Sequence, residues 1–187
     1  CPANWKREFE LLSILRLNHI EWIVTSDSLK TNPIFFEDVS NYPISSICAD
    51  NLVNVGISDK DYLRANLRPI CEIALKNNIN NITIPLLEES SVADKHVYNK
   101  FCELIKSYSV EYRGLNFLFE AELAAERLTV SPLQGDTNFN QIFNFLKEKD
   151  YNGLYTLQTA REEFGKEVET ISTHKLILEE VYNEQCI

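Results

Sequence analysis

Apolar runs of strand length alternate along this chain with longer stretches in which apolar residues recur at helical spacing. Each run is short, rich in Ile, Val, Leu or aromatic residues, and close to turn-forming or polar residues. The predicted strands are Ile20–Val24, Ile44–Ala49, Ile82–Leu87, Leu115–Phe119 and Leu154–Leu157. Alternation of this kind is typical of parallel βα units, so the pattern predicts an α/β protein.

The intervening stretches predict amphipathic helices that would cover the sheet. The predicted helices are residues 5–15 after a cap at Asn4, 63–74, 97–108, 139–146 and 168–181. Pro69 falls inside the second of them and should kink it or shift its start. Pro85 falls inside a strand, where it removes a hydrogen-bond donor, and we expect it where that strand leaves the sheet or bulges.

Polar side chains follow the predicted strands at their carboxyl ends. Asp50 follows the second strand, Glu88 follows the third, and Glu120 follows the fourth. Gln158 and Arg161 follow the fifth. In α/β folds with parallel strands, ligands bind at the carboxyl ends of the strands. The sequence therefore predicts a functional site at this edge.

Composition narrows the class of protein. The chain has 187 residues, of which 44% are apolar and 25% charged, as expected for one soluble domain spanning residues 1–187. Its net charge of −10, with no run of Lys and Arg, argues against binding to nucleic acid or to an anionic membrane. The five cysteines include no CxxC pair, which indicates reduced thiols and a cytoplasmic protein.

An ordered set of short motifs resembles the sugar phosphate isomerase/epimerase family of xylose-isomerase-like TIM barrels. The motifs are ANWKREFELLSILRLNHIEWIV, NP, ICAD, IPLLEESS, FEAEL and NGLYTLQTAR. The resemblance implies a (β/α)8 barrel, which typically needs about 250 residues. The chain is shorter and contains no Met. We therefore expect the first strand, and a segment near residues 128–130, to lie outside this sequence.

The resemblance also implies one divalent metal ion (Mn, Mg, Co or Zn) as cofactor. Glu120 would be its first ligand and would move the proton, and Gln158 would be the last ligand. The Asp and His ligands of the family have no counterpart in this sequence. Glu88 and Arg161 would hold the substrate, with Asp50 and Trp22 lining the sugar.

The implied reaction is isomerisation or epimerisation of a small ketose or sugar phosphate by proton transfer through an enediolate. Two alternatives stay open: an inosose-dehydratase-like lyase, and a non-catalytic carbohydrate-binding barrel that lacks the metal site. Simpler interpretations also exist for single residues. Glu88 would then lie on a solvated loop, Trp22 would pack in the core, and Arg161 would pair with a neighbouring glutamate. Formation of a homo-oligomer is equally open.

Overall fold

The computed structural model describes residues 4–121, 131–135, 137–158 and 164–184. These residues belong to two compact units, and each unit is described by itself. The first unit comprises residues 4–10 and 18–121, and the second comprises the remaining described residues. In the described ranges, no helix is long and apolar enough to cross a membrane.

The first unit is built on a four-stranded sheet in which every neighbouring pair is parallel. The strands are β1 (Ile20–Ile23), β2 (Ile44–Cys48), β3 (Asn81–Leu86) and β4 (Asn116–Ala121), in the order β1-β2-β3-β4. The helices of the described residues are α1 (Lys6–Leu15), α2 (Lys60–Asn66), α3 (Arg68–Lys76), α4 (Lys95–Glu111), α5 (Phe139–Glu148) and α6 (Glu167–Glu184). The predicted α/β class, with a parallel sheet, is confirmed.

One face of this sheet carries the hydrophobic core. Ile47 of β2 pairs in register with Ile82 of β3, and both side chains are fully buried. Trp22 of β1 packs edge-on against Trp5, with ring centroids 5.4 Å apart, and stacks with Phe9 of α1. Burying these large side chains supplies the main favourable free energy of folding for the unit.

The opposite face, called the inner face below, is polar and partly open to solvent. Because successive side chains of a strand point to opposite sides, Glu21 and Ile23 lie here while Trp22 faces the core. The apolar side chains of Ile23 and Leu118, on the two outer strands, are 57% and 46% exposed. Parallel sheets normally have both faces covered. The inner face is unusual in being exposed, and its polar side chains are therefore candidates for a ligand-binding site.

Pro69 marks a break between two helices, whereas Pro85 lies within a strand. The predicted kink at Pro69 is confirmed, because α2 ends at Asn66 and a new helix begins at Arg68. Pro85 is the last residue but one of β3 and pairs with Glu120 of β4. Pairing with β2 has already ended at Thr83, so the missing amide of Pro85 costs little there.

The second unit contains no strand among its described residues, so the predicted strand Leu154–Leu157 is wrong. Residues 151–158 form an irregular segment instead. The ring of Tyr155 packs edge-on against Phe143 of α5 and Tyr182 of α6, with centroids 5.9 Å from each. The Tyr155 ring thus contacts two helices, while the side chains of Leu154 and Tyr155 stay 56% and 44% exposed.

Asn32 provides a test of the core, because its side chain is fully buried and joins several elements. Its Oδ1 accepts from the indole of Trp22 at 2.8 Å, and its Nδ2 donates to the carbonyl of Ile23 at 3.2 Å. We expect Asn32→Ala to lower the free energy of unfolding by about 2–3 kcal/mol, because it leaves these groups without partners. Denaturant unfolding measures this. The matched control Asn54→Ala, at an exposed position, should change stability little; an equal loss in both variants would contradict the account.

Candidate functional site

Glu21 is the centre of a hydrogen-bond network on the inner face. Its Oε1 accepts from the Ser46 hydroxyl of β2 at 2.7 Å and from the Thr83 hydroxyl of β3 at 2.6 Å. One carboxylate oxygen is therefore held by side chains from two neighbouring strands. The sequence analysis missed Glu21, since a single acid within the apolar run IEWIV gives no signal by itself.

Further carboxylates lie around Cys48, whose side chain is on the same face. The pKa of the Cys48 thiol is raised to about 12, mainly by burial and then by the negative charges of Glu21, Asp50 and Glu120, in that order. The thiol is therefore protonated near neutral pH, with only a small thiolate fraction. The effect of these charges on the thiol pKa means that acids of β1, of β4 and of the turn after β2 lie near Cys48. We call Glu21, Asp50 and Glu120 the carboxylate cluster.

A rigid turn holds Asp50 at the carboxyl end of β2. The next residue, Asn51, is buried, and its backbone N–H donates to the carbonyl of Val24 at 2.8 Å. The Asn51 carbonyl accepts from the hydroxyls of Ser26 and Tyr62, at 3.2 and 2.9 Å. These contacts fix the backbone of Asn51, and they therefore restrict the positions that the neighbouring Asp50 side chain can take.

Glu88 lies in the turn that follows β3, and its side chain is exposed. Its φ of 48° is in the left-handed region, which costs a non-glycine residue about 1–2 kcal/mol. Buried Ser90 stabilises the turn, since its hydroxyl lies 2.7 Å from the Leu87 carbonyl and accepts from the Leu87 amide at 3.1 Å. A strained residue at a strand end is a reason to suspect function. A substrate contact of Glu88 stays a prediction.

The other predicted site residues have different positions. Trp22 is buried on the core side of β1, which is the packing position that the simpler interpretation expects. Gln158 is exposed in the irregular segment of the second unit, so its geometry relative to Glu120 is not defined. Arg161 lies outside the described residues. The structure therefore brings together Asp50 and Glu120, and adds Glu21.

The metal site implied by the resemblance can be tested against the side chains present. Within the described ranges, no group of three or more His, Cys, Asp or Glu side chains is arranged to hold a metal ion. The described residues alone thus do not complete the expected ligand set. Glu120 would contribute one carboxylate to such a set.

Comparison with known protein families finds no matching family model, and comparison with curated proteins finds no match. The resemblance drawn from the short motifs therefore stays an expectation. What the chain itself offers is a parallel sheet with acidic and hydroxyl side chains converging on one face.

The reactivity of the Cys48 thiol tests whether the charges of the carboxylate cluster raise its pKa. Because negative charges raise the thiol pKa, Glu21→Gln should lower it and increase the thiolate fraction. We expect alkylation of Cys48 by iodoacetamide near pH 8 to become about threefold faster. Mass spectrometry of the labelled peptides measures the rate.

Cys71 is an internal control in the same experiment. Burial raises its pKa to about 12 as well, but the nearby acids are Glu111 and Glu72 rather than the cluster. Its rate should not change in Glu21→Gln. Equal acceleration of both thiols would indicate general loosening of the fold, and an unchanged Cys48 rate would show that Glu21 does not act on it.

Proposed function

We propose that this chain is an isomerase or epimerase of the (β/α)8 barrel group that acts on a small ketose or its phosphate. The observation that carries the proposal is that Glu21 lies in β1, Asp50 follows β2 and Glu120 lies in β4, and that all three carboxylates are near enough to Cys48 to raise the pKa of its thiol. Carboxylates accept hydrogen bonds from sugar hydroxyls and can remove a proton from carbon. A polyhydroxylated substrate therefore suits this cluster better than an apolar one.

Glu120 is the proposed base in this reaction. Its side chain is exposed on the outer strand β4, so a ligand on the inner face can reach it. Glu21 is held by two hydroxyl groups and suits binding and orientation of the substrate rather than proton transfer. A carboxylate beside the substrate would take the proton from the carbon next to the carbonyl and return it to the former carbonyl carbon, while a proton passes from the adjacent hydroxyl oxygen to the carbonyl oxygen.

The closed barrel and the metal ion are further parts of this proposal. The described sheet has four strands, so the other barrel strands would come from residues beyond the described ranges. A divalent ion, if bound, would supply polarisation of the substrate carbonyl. Glu120 would be one of its ligands, together with ligands outside the described residues.

Replacement of the proposed base gives the sharpest test. Glu120→Gln should reduce turnover by about 10²–10⁴-fold, because the amide cannot accept the proton. The fold should be retained, since the side chain is exposed. The assay is NMR detection of deuterium uptake from D2O into a panel of ketoses, ketose phosphates and inososes.

A matched control for this variant is Glu103→Gln, which removes the same charge from an exposed position of α4. It should leave turnover unchanged. Full activity of Glu120→Gln would refute its role. Loss of water from an inosose, without isomerised product, would identify the lyase alternative instead.

A non-catalytic carbohydrate-binding barrel is the second candidate, because the described residues hold no three-ligand metal group. Metal analysis after chelation and reloading with Mn, Co or Zn separates the two candidates. The enzyme should retain about one ion per chain, as expected for a mononuclear site. Sugar binding that persists with no retained metal would favour the binding protein.

A further inference from the structure

A cationic groove lies among the helices of the first unit, and its lining shares no residue with the carboxylate cluster. Its volume is about 240 Å³. One wall is formed by Lys60, Arg64 and Arg68, and the other by Leu104, Tyr108 and Glu111 of α4. A groove of this size fits a small organic molecule or one of its charged groups.

The three cations are placed on one side by their spacing. Lys60 and Arg64 are four residues apart in α2 and so share a helix face, while Arg68 is the first residue of α3 and lines the same groove. Arg68 pairs with Glu72 at 2.8 Å, whereas Lys60 and Arg64 form no ion pair with any described carboxylate. Like charges at this spacing repel each other, and a bound anion would reduce this repulsion.

The wall formed by α4 is apolar and aromatic at Leu104 and Tyr108. Tyr108 is buried, and burial is the main cause that raises the pKa of its phenol to about 12. The positive charges of Arg68 and Arg64 act in the opposite direction, which places both guanidinium groups close to the phenol. Leu104 is half-buried beside it. The groove thus combines guanidinium groups with a surface for the body of an organic ligand.

We propose that this groove binds a small organic phosphate, with its phosphate held by Arg64 and Arg68 and its body packed on Tyr108 and Leu104. The planar guanidinium fork matches phosphate oxygens and binds them through paired hydrogen bonds. Lys60 adds a further positive charge at one end. Glu111 is the single acid in the lining and limits the affinity for anions.

The test is a ¹⁵N–¹H NMR titration of the full chain with inorganic pyrophosphate as the probe. We expect saturable shift changes centred on residues 60–68 and 104–111. Arg64→Gln should weaken binding by about fivefold or more, because it removes one phosphate-binding fork. The spectrum also shows whether the variant is folded.

Two further variants make the result decisive. Lys106→Gln removes the same charge from an exposed position of α4 that does not line the groove, and its affinity should equal that of the parent protein. Glu111→Gln should tighten binding, because it removes the repelling carboxylate. The proposal is overturned by shifts that do not saturate, by equal weakening in Lys106→Gln and Arg64→Gln, or by no gain in Glu111→Gln.

Discussion

The register of the parallel pairing between β2 and β3 is the constraint on which the rest of the first unit depends. Ile47 lies opposite Ile82 and Cys48 opposite Thr83, so one set of side chains enters the core and the other reaches the inner face. A slip of one residue would exchange the two sets, burying Thr83 and exposing the isoleucines. Burial of Ile47 and Ile82 therefore sets the strand register, and the register determines which side chains face the carboxylate cluster.

Much of the sheet could be predicted, because strands buried by helices read as apolar runs and the helices between them keep a clear period. The strands β1 to β4 follow the predicted ones within one or two residues at each end. The segment near Tyr155 has the same local appearance but packs its aromatic ring on two helices. Periodicity over a few residues cannot distinguish these outcomes, because a short apolar run has the same appearance in a buried strand and in an exposed segment such as Leu154–Tyr155.

The candidate site was only partly predictable for a related reason. Asp50 follows β2 and Glu120 is the last residue but one of β4, and positions close to strand ends are visible in the sequence. Glu21 becomes meaningful only through the Ser46 and Thr83 hydroxyls, which strand pairing brings to it. The cationic groove was hidden similarly: its cations are four residues apart, so a search for consecutive Lys and Arg misses them. Acidic and basic surfaces thus coexist in a chain of net charge −10.

The central claim is that acids from separate strands form one ligand-binding surface on the inner face. A crystal structure of the protein soaked with a ketose such as fructose tests it most directly. The account predicts sugar hydroxyls within hydrogen-bond distance of the Glu120 and Asp50 carboxylates, with Glu21 still held by Thr83. A sugar bound away from the inner face, or carboxylates that point apart around Cys48, would contradict it.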